Sequence, residues 1–325
     1  MREGTLFEDI WISRFLNSSQ PVILAGMNSA IAYFNGSWIP ASQLSIAVDD
    51  LGFQMGVTVT ERLRTFLGRP YRTTEHLTRL HHSLEIVGWN AKELCSEVSS
   101  AIEEFMAHNC EHFVEGDDWN IIAFVTPGKS ADASGPTVCV HGHPLPFQQW
   151  AHQFVQGVSA VIADARQVPD ECWPTELKCR SRMHYYLAER QAQLDGPDSR
   201  AILLDQEGYV GEGSTANVIG YFAQRGLVTP CRDKVLPGVS QQVVFELAKS
   251  LGIAHQEQDL LPAELAAADE ILFTSTSICL LPVVRLNALS IGSGQPGKIF
   301  QRLLGAWSEQ VGLDIAAQAQ KFAIR

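Results

Sequence analysis

The chain has 325 residues, of which 46% are hydrophobic and 18% charged, with a formal net charge of −12 and a pI of about 5.3. That length buries enough apolar surface for about two cored domains. The acid excess argues against a nucleic-acid partner, which needs a basic footprint, and the lack of any apolar run of 18 or more residues argues against a membrane span.

Residues 1–30 fit no pattern and are read as an amino-terminal extension. Ile31–Ile39 and Leu44–Val48 read as strands, and Thr58–Phe66 and Pro70–Thr73 as another pair around Leu67-Gly68-Arg69. Helices are predicted over Thr74–Gly88 and Ala91–His112, then strands over Asn120–Thr126 and Thr137–His141. His143-Pro144-Leu145-Pro146-Phe147 with Gln148-Gln149 reads as a linker. Beyond it come a strand at Gly157–Ala163, a loop over Asp164–Thr175, and a helix after Lys178. Ala201–Asp205 and Tyr209–Glu212 form a hairpin about Gln206-Glu207-Gly208. After Pro237-Gly238, the apolar Val239, Val243, Val244, Leu247, Ala248 and Leu251 recur at helical spacing as far as Gly252. The predicted organisation is therefore an extension (1–30), a small α/β domain (31–145), a linker (146–156) and a larger domain (157–325).

Three features carry chemistry. The helix starting at Val239 leaves its first N–H groups free, and with the Ser240 hydroxyl it suits a phosphate. Glu212 ends a strand where small residues follow, a place from which a carboxylate can pair with a protonated pyridine nitrogen. Lys178 lies upstream and supplies an amine. Separately, the first is an ordinary helix start and the second an ordinary exposed glutamate. Together they supply what an aldehyde- and phosphate-bearing cofactor, pyridoxal 5′-phosphate, requires.

The series Glu212-Gly213-Ser214-Thr215-Ala216-Asn217-Val218, Leu236-Pro237-Gly238-Val239-Ser240 and Phe273-Thr274-Ser275-Thr276-Ser277 followed by Leu281-Pro282-Val283 resembles the class IV aminotransferases. These are the fold-type IV pyridoxal phosphate enzymes, among them branched-chain aminotransferases, D-amino-acid transaminases and aminodeoxychorismate lyases. Upstream, Tyr33-Phe34-Asn35-Gly36, Asp50–Gly56 and Glu75-His76-Leu77-Thr78-Arg79-Leu80 follow the same pattern, so the resemblance runs from about Ala32 to Trp307. It implies an α/β (α+β) fold of two domains, the smaller one amino-terminal, with the cofactor in the cleft between them. It also implies a homodimer. Lys178 resembles the lysine that forms the internal Schiff base and moves the proton, and Arg79 the arginine that grips the phosphate. Val239 and Ser240 match the phosphate-binding helix start, Thr276 a hydroxyl donor to the same group, Leu236 a residue packed on the ring, and Thr215 one beneath it.

Substrate choice is less marked. Thr60 and Arg64 lie in a stretch that faces substrate in relatives, and Arg64 resembles an arginine used near a substrate carboxylate. An outward strand arginine is the plain alternative, since Arg62 would share its face. Pro127 and Thr60 stand where D-amino-acid transaminases carry arginine and tyrosine, and Asn120 where branched-chain members carry arginine. Met183 replaces a tyrosine that meets the cofactor's phenolic oxygen, with Tyr185 and Tyr186 further on. The expected reaction is amino transfer between an amino acid and a 2-oxo acid, with aminodeoxychorismate-type elimination of pyruvate as the alternative.

Other signals are weak. Gly292-Ser293-Gly294-Gln295-Pro296-Gly297 fits G-x-G-x-x-G, yet too little chain follows for a βαβ unit, so a surface turn before the last helix is expected. His108 and His112 are spaced for a metal but lack a third ligand, and His141-Gly142-His143 is no stronger, so no metal is predicted. Seven scattered cysteines without Cys-x-x-Cys spacing fit reduced thiols, and Met1–Ser19 has no basic-then-apolar leader. A cytoplasmic location is the expectation.

Overall fold

The computed structural model describes residues 30–129 and 135–324, so the predicted extension lies, save for Ala30, outside the described residues. The first strands, β1 (Ile31–Phe34) and β2 (Ser37–Pro40), join through Asn35 and Gly36. Both turn residues have positive φ, 47° and 79°, which matches the twist of a two-residue hairpin. A one-turn helix, α1 (Leu51–Gln54), follows, capped by the Asp50 carboxylate, which accepts from Gly52 N at 2.7 Å and from the hydroxyls of Thr126 and Thr137 at 2.9 Å each.

Strands β3 (Val59–Phe66), β4 (Arg69–Pro70), β5 (Trp119–Thr126) and β6 (Thr137–Pro144) complete an antiparallel sheet in the order β2-β1-β6-β5-β3-β4. Helices α2 (Thr73–Ile86) and α3 (Ala91–His108) cover one face, packing Leu80, Leu84, Val98, Ile102 and Phe105 on Leu63, Ile121 and Val140. Alternation along β3 sends Val59, Glu61 and Leu63 toward these helices and Thr60, Arg62 and Arg64 to the other face. Leu44–Val48 is not a strand: it follows a short 3₁₀ turn, no strand pairs with it, and Ile46 and Val48 are exposed. The helix expected to reach His112 ends at His108, where Asn109 breaks it before a 3₁₀ turn at Cys110–His112.

The second sheet runs β12-β11-β10-β13-β14-β7-β8-β9, with β15 (Leu289–Ser290) beside β14. Its strands are β7 (Val158–Ile162), β8 (Arg200–Leu204), β9 (Val210–Gly213), β10 (Asn217–Phe222), β11 (Gly226–Thr229), β12 (His255–Glu257), β13 (Glu270–Ser275) and β14 (Cys279–Leu286). It is mixed, with β7 parallel to both β8 and β14. The stretch expected to link the domains contains α4 (Gln153–Gln156) and packs Phe147, Trp150 and Phe154 into the core of this second sheet. α5 (Met183–Ala192) sets Ala188 and Ala192 against Ala201 and Leu203 of β8. The helices α6 (Val239–Ser250), α7 (Pro262–Ala266), α8 (Lys298–Val311) and α9 (Ile315–Phe322) bury the rest.

The glycine-rich turn at 292–297 precedes α8, which α9 follows as the last helix. The Glu270 carboxylate already caps α8, accepting from Ile299 N at 2.8 Å and Phe300 N at 2.9 Å, so a phosphate is not needed there. Among the described residues no helix is long and apolar enough to cross a membrane, no His/Cys/Asp/Glu group is arranged for a metal, and all seven cysteines are free.

Candidate active site

A cavity of about 300 Å³ opens between the two sheets, and Lys178, Arg79, Glu212, Thr215, Leu236, Val239, Ser240, Thr276 and Thr60 all line it. Backbone pairing puts the lysine there. Thr60 N donates to Lys178 O at 3.0 Å and Arg180 N to Thr58 O at 3.0 Å, so 178–180 runs as an added edge along the start of β3. The side chains of Lys178 and Arg180 therefore share the cavity side, while Cys179 turns away. Lys178 N is further held by the Ser83 hydroxyl at 3.1 Å. Its amine makes no hydrogen bond or ion pair among the described residues. The Lys178 pKa is pushed down to about 7, first by burial and then by the Arg79 charge, with Glu61 opposing.

Arg79 projects from α2 and meets Glu61 of β3 with two donors, Nε to Oε2 at 2.9 Å and Nη2 to Oε1 at 2.6 Å. Glu61 is fully buried and also touches His76 Nδ1 at 3.1 Å; Arg79 and His76 hold its carboxyl far below the usual range in spite of that burial. A third Arg79 donor, Nη1, reaches the Pro237 carbonyl at 2.9 Å, just before α6, which leaves an Nη1 proton for an anion in the cavity. No side chain caps α6, so its leading N–H groups face the same space. The turn is tight: Asn217 Nδ2 donates to Leu236 O at 2.8 Å, and a Cβ at Gly238 would lie 1.9 Å from Asn217 Oδ1. Thr274 lines the cavity beside Thr276, and its buried hydroxyl has no hydrogen-bond partner among the described residues.

At the other wall, Glu212 is 7% exposed. Its Oε1 accepts from the Tyr185 hydroxyl at 2.5 Å and Gln167 Nε2 at 2.8 Å, and its Oε2 from Leu236 N at 3.3 Å. Burial raises its pKa, and the three hydrogen bonds offset that only in part. No basic side chain forms an ion pair with it among the described residues, so this is a buried carboxylate short of a cation. An unpaired amine, an uncapped helix start beside an arginine, and a buried carboxylate without a counter-ion are together the donor set that pyridoxal phosphate fits.

Comparison with known proteins agrees. Residues 58–286 match the family model described as amino-transferase class IV. The chain belongs to the class IV aminotransferase family. It is 27% identical over 285 residues to a D-alanine aminotransferase of Bacillus licheniformis, covering 86% of this chain and 96% of that one. It is 24% identical over 281 residues to the branched-chain-amino-acid aminotransferase of Escherichia coli K12, covering 85% and 91%. Its fold is that of the T.th. branched-chain amino acid aminotransferase solved with pyridoxamine 5′-phosphate: TM-score 0.76 at 23% identity, covering 88% of this chain and 95% of that one.

Against the family pattern, one sequence-predicted site residue stands apart. Arg64 does not line the cavity but lies fully buried behind it, donating to Ser277 O and Cys279 Sγ at 3.0 Å and to Gln318 Oε1 at 3.2 Å, with its guanidinium over the Phe66 ring. It is not an outward strand arginine either, because β14 and α9 cover this part of the sheet face. Arg62, two residues earlier on the same face, lines the cavity instead. Asn120 accepts from the Ser277 hydroxyl at 2.7 Å. The Met183 side chain is exposed, and Tyr185 spans to Glu212. Sequence reasoning named Arg62 and Tyr185 without giving either a role, and assigned none to Glu61, Arg180 and Arg182; the available signal for the last two was Arg180-Ser181-Arg182 close after the lysine.

Proposed function

We propose that this class IV aminotransferase holds pyridoxal phosphate in the cavity and transfers an amino group between an amino acid and a 2-oxo acid. The observation that carries the reading is Lys178: an amine without a partner among the described residues, brought to a pKa of about 7, in a cavity that Arg79 and Glu212 also line. When bound, the cofactor supplies a ring that takes up the electron pair left on the substrate α-carbon. Arg79, the N–H groups of Val239 and Ser240, and the hydroxyls of Thr274 and Thr276 are the groups to hold its phosphate. Glu212, aimed by Tyr185 and Gln167, is the carboxylate to keep the ring nitrogen protonated. Lys178 Nζ, with its pKa lowered by burial and by the Arg79 charge, would take the proton from the substrate α-carbon and deliver it to the cofactor side of the exchange. Leu236 and Thr215 line the same cavity and would pack against the ring, shielding it from water.

Relatives named as aminotransferases favour amino transfer over the lyase alternative. A homodimer is part of the proposal: Val48, Phe53 and Met55 are exposed apolar side chains in one short segment, and light scattering measures the assembly directly. The seven free thiols suit a reducing compartment. The test is spectroscopic. Protein loaded with pyridoxal phosphate should show a visible to near-ultraviolet band that borohydride abolishes, and Lys178→Ala should lack it while keeping its circular dichroism and losing turnover by orders of magnitude. A parent protein that gains no band overturns the reading.

A further inference from the structure

The turn between β13 and β14 forms one wall of the cavity, where Thr274 and Thr276 carry the hydroxyls assigned to the phosphate. It closes on Cys279, which is fully buried and has a φ of 71°. That left-handed conformation is costly for any residue with a Cβ and persists only where the surroundings impose it.

Here the surroundings come from the other sheet. Arg64 Nη1 donates to Ser277 O and to Cys279 Sγ, both at 3.0 Å, so one guanidinium nitrogen grips the turn on either side of Ile278. The sulfur accepts as a neutral thiol, because burial pushes its pKa up and Arg64 only opposes that.

Arg64 is itself aimed from behind. Its guanidinium carbon stands 3.9 Å from the centre of the Phe66 ring, Nε donates to Thr65 O at 3.2 Å, and Nη2 donates to Gln318 Oε1 at 3.2 Å. Gln318 belongs to α9, the last helix. Its amide nitrogen donates to Asp118 Oδ2 at 2.6 Å and to Gly116 O at 2.9 Å, which uses both protons and turns Oε1 toward Arg64. The Asp118 carboxylate is fixed in its turn by the Thr65 hydroxyl at 2.6 Å and Gly68 N at 3.0 Å. A bonded chain therefore runs from Asp118 through Gln318 and Arg64 to the turn, and every member of it is buried.

Burying a guanidinium with no ion-pair partner among the described residues is expensive, so packing alone does not account for Arg64. Its acceptors lie on separate segments, which a planar fork of donors can meet together and an apolar side chain cannot. We infer that Arg64 and Gln318 are positioning residues that hold the turn from behind and so set where Thr274 and Thr276 meet the cofactor phosphate. The last helix is then part of the cofactor site, although none of its residues lines the cavity. This rests on the pyridoxal phosphate reading of the same cavity.

The test compares pyridoxal phosphate with pyridoxal, which has the same ring and aldehyde and no phosphate. Each is titrated into the full chain stripped of cofactor, and affinity is read from growth of the absorption band. The parent should bind pyridoxal phosphate at least about a hundredfold tighter, since one hydrogen bond to a charged group is worth about ten- to a hundredfold. Arg64→Lys, a point charge that cannot span the same acceptors, should cut that preference about tenfold or more. Gln318→Met, close in volume and without the amide, should cut it about threefold or more. Pyridoxal affinity should change less than about twofold in either variant, because the ring contacts and Lys178 are untouched. Titrations are run below each variant's melting temperature, and Gln318→Met, which leaves the bonds from Arg64 to the turn in place, decides the question if Arg64→Lys does not fold. Equal losses for both ligands, or a lower melting temperature with the preference intact, overturn the positioning role and leave the cofactor reading standing. A parent that binds the two ligands equally removes the phosphate site, and the inference falls with it.

Discussion

The amine of Lys178 offers a quantitative test of how this cavity works. With a pKa of about 7 it is about nine-tenths neutral at pH 8, against a few tenths of a percent for an ordinary lysine near 10.5. The apoenzyme should therefore capture added pyridoxal phosphate at a rate that rises through about pH 7 and is flat above pH 8, read from growth of the absorption band and confirmed by borohydride trapping. Two substitutions should move that midpoint in opposite directions. After burial, the Arg79 charge is the largest cause of the depression, and Glu61 opposes it. Arg79→Gln removes the cation and leaves Glu61 unpaired, so the midpoint should rise; Glu61→Gln removes the anion, so it should fall. Both variants break a pair in which Glu61 is 1% and Arg79 10% exposed, so each should cost about 3–5 kcal/mol of stability. Thermal melts must accompany the kinetics, and the Arg79→Gln, Glu61→Gln double variant, which leaves neither charge stranded, should melt above either single. A parent midpoint near 10, or shifts of the same sign in the two singles, would refute the electrostatic account.

Other substitutions separate electronic from structural roles. Glu212→Gln keeps the shape but loses the charge, so cofactor should stay bound while kcat falls more than KM rises, measured by steady-state kinetics on loaded protein. Tyr185→Phe removes a 2.5 Å bond to the Glu212 carboxylate, worth about 1.5–3 kcal/mol, and should raise the Glu212 pKa further; a kcat–pH profile identical to the parent's would make Tyr185 a packing residue. Gly238→Ala puts a methyl 1.9 Å from Asn217 Oδ1 and should loosen the turn that presents α6, so dialysis should strip cofactor faster than from the parent. Arg64→Met should destabilise the fold by about 1–3 kcal/mol for the buried acceptors it strands, read as a lower melting temperature, and leave KM alone; a KM effect at unchanged stability would return Arg64 to the substrate site.

Legibility in the sequence tracks how local each signal is. The helix after Pro237-Gly238 is readable because its apolar spacing and its turn lie within one short window, and it begins at Val239 as expected. Leu44–Val48 misleads because alternation marks a strand only where a neighbour exists to pair with, and no strand lies beside it. Period two on β3 says correctly that Arg62 and Arg64 share a face, but not how deep each sits. That depth is decided by Ser277, Cys279 and Gln318, more than 200 residues away. Glu61 is invisible for a similar reason: a glutamate in a strand reads as a solvated position until α2 places Arg79 and His76 over it. The spaced motifs make the cavity's parts recognisable as a set, which no single motif does.

What ties the parts together is the register of one strand. Thr60 N holds the Lys178 carbonyl and so fixes the amine; Glu61, on the opposite face, holds Arg79 beside the start of α6; Arg62, back on the cavity face, lines the cavity with Arg180 and Arg182. Three consecutive residues thus place three parts of the cavity wall, and alternation keeps the Glu61 carboxylate on the helix side while Arg62 opens to the cavity. Without that separation the glutamate would neutralise the cluster it now stands behind. A slip of one residue on β3 would turn Glu61 into the cavity and Arg62 into the helix-packed core, reversing the sign of charge on that cavity wall and stranding a charge among Leu80, Leu84 and Val98. The pairing of β3 with β5 from Val59–Val125 to Arg64–Asn120 fixes the register against such a slip, so a sheet on the far side of the chain from the Glu212 motif decides what the cavity can bind.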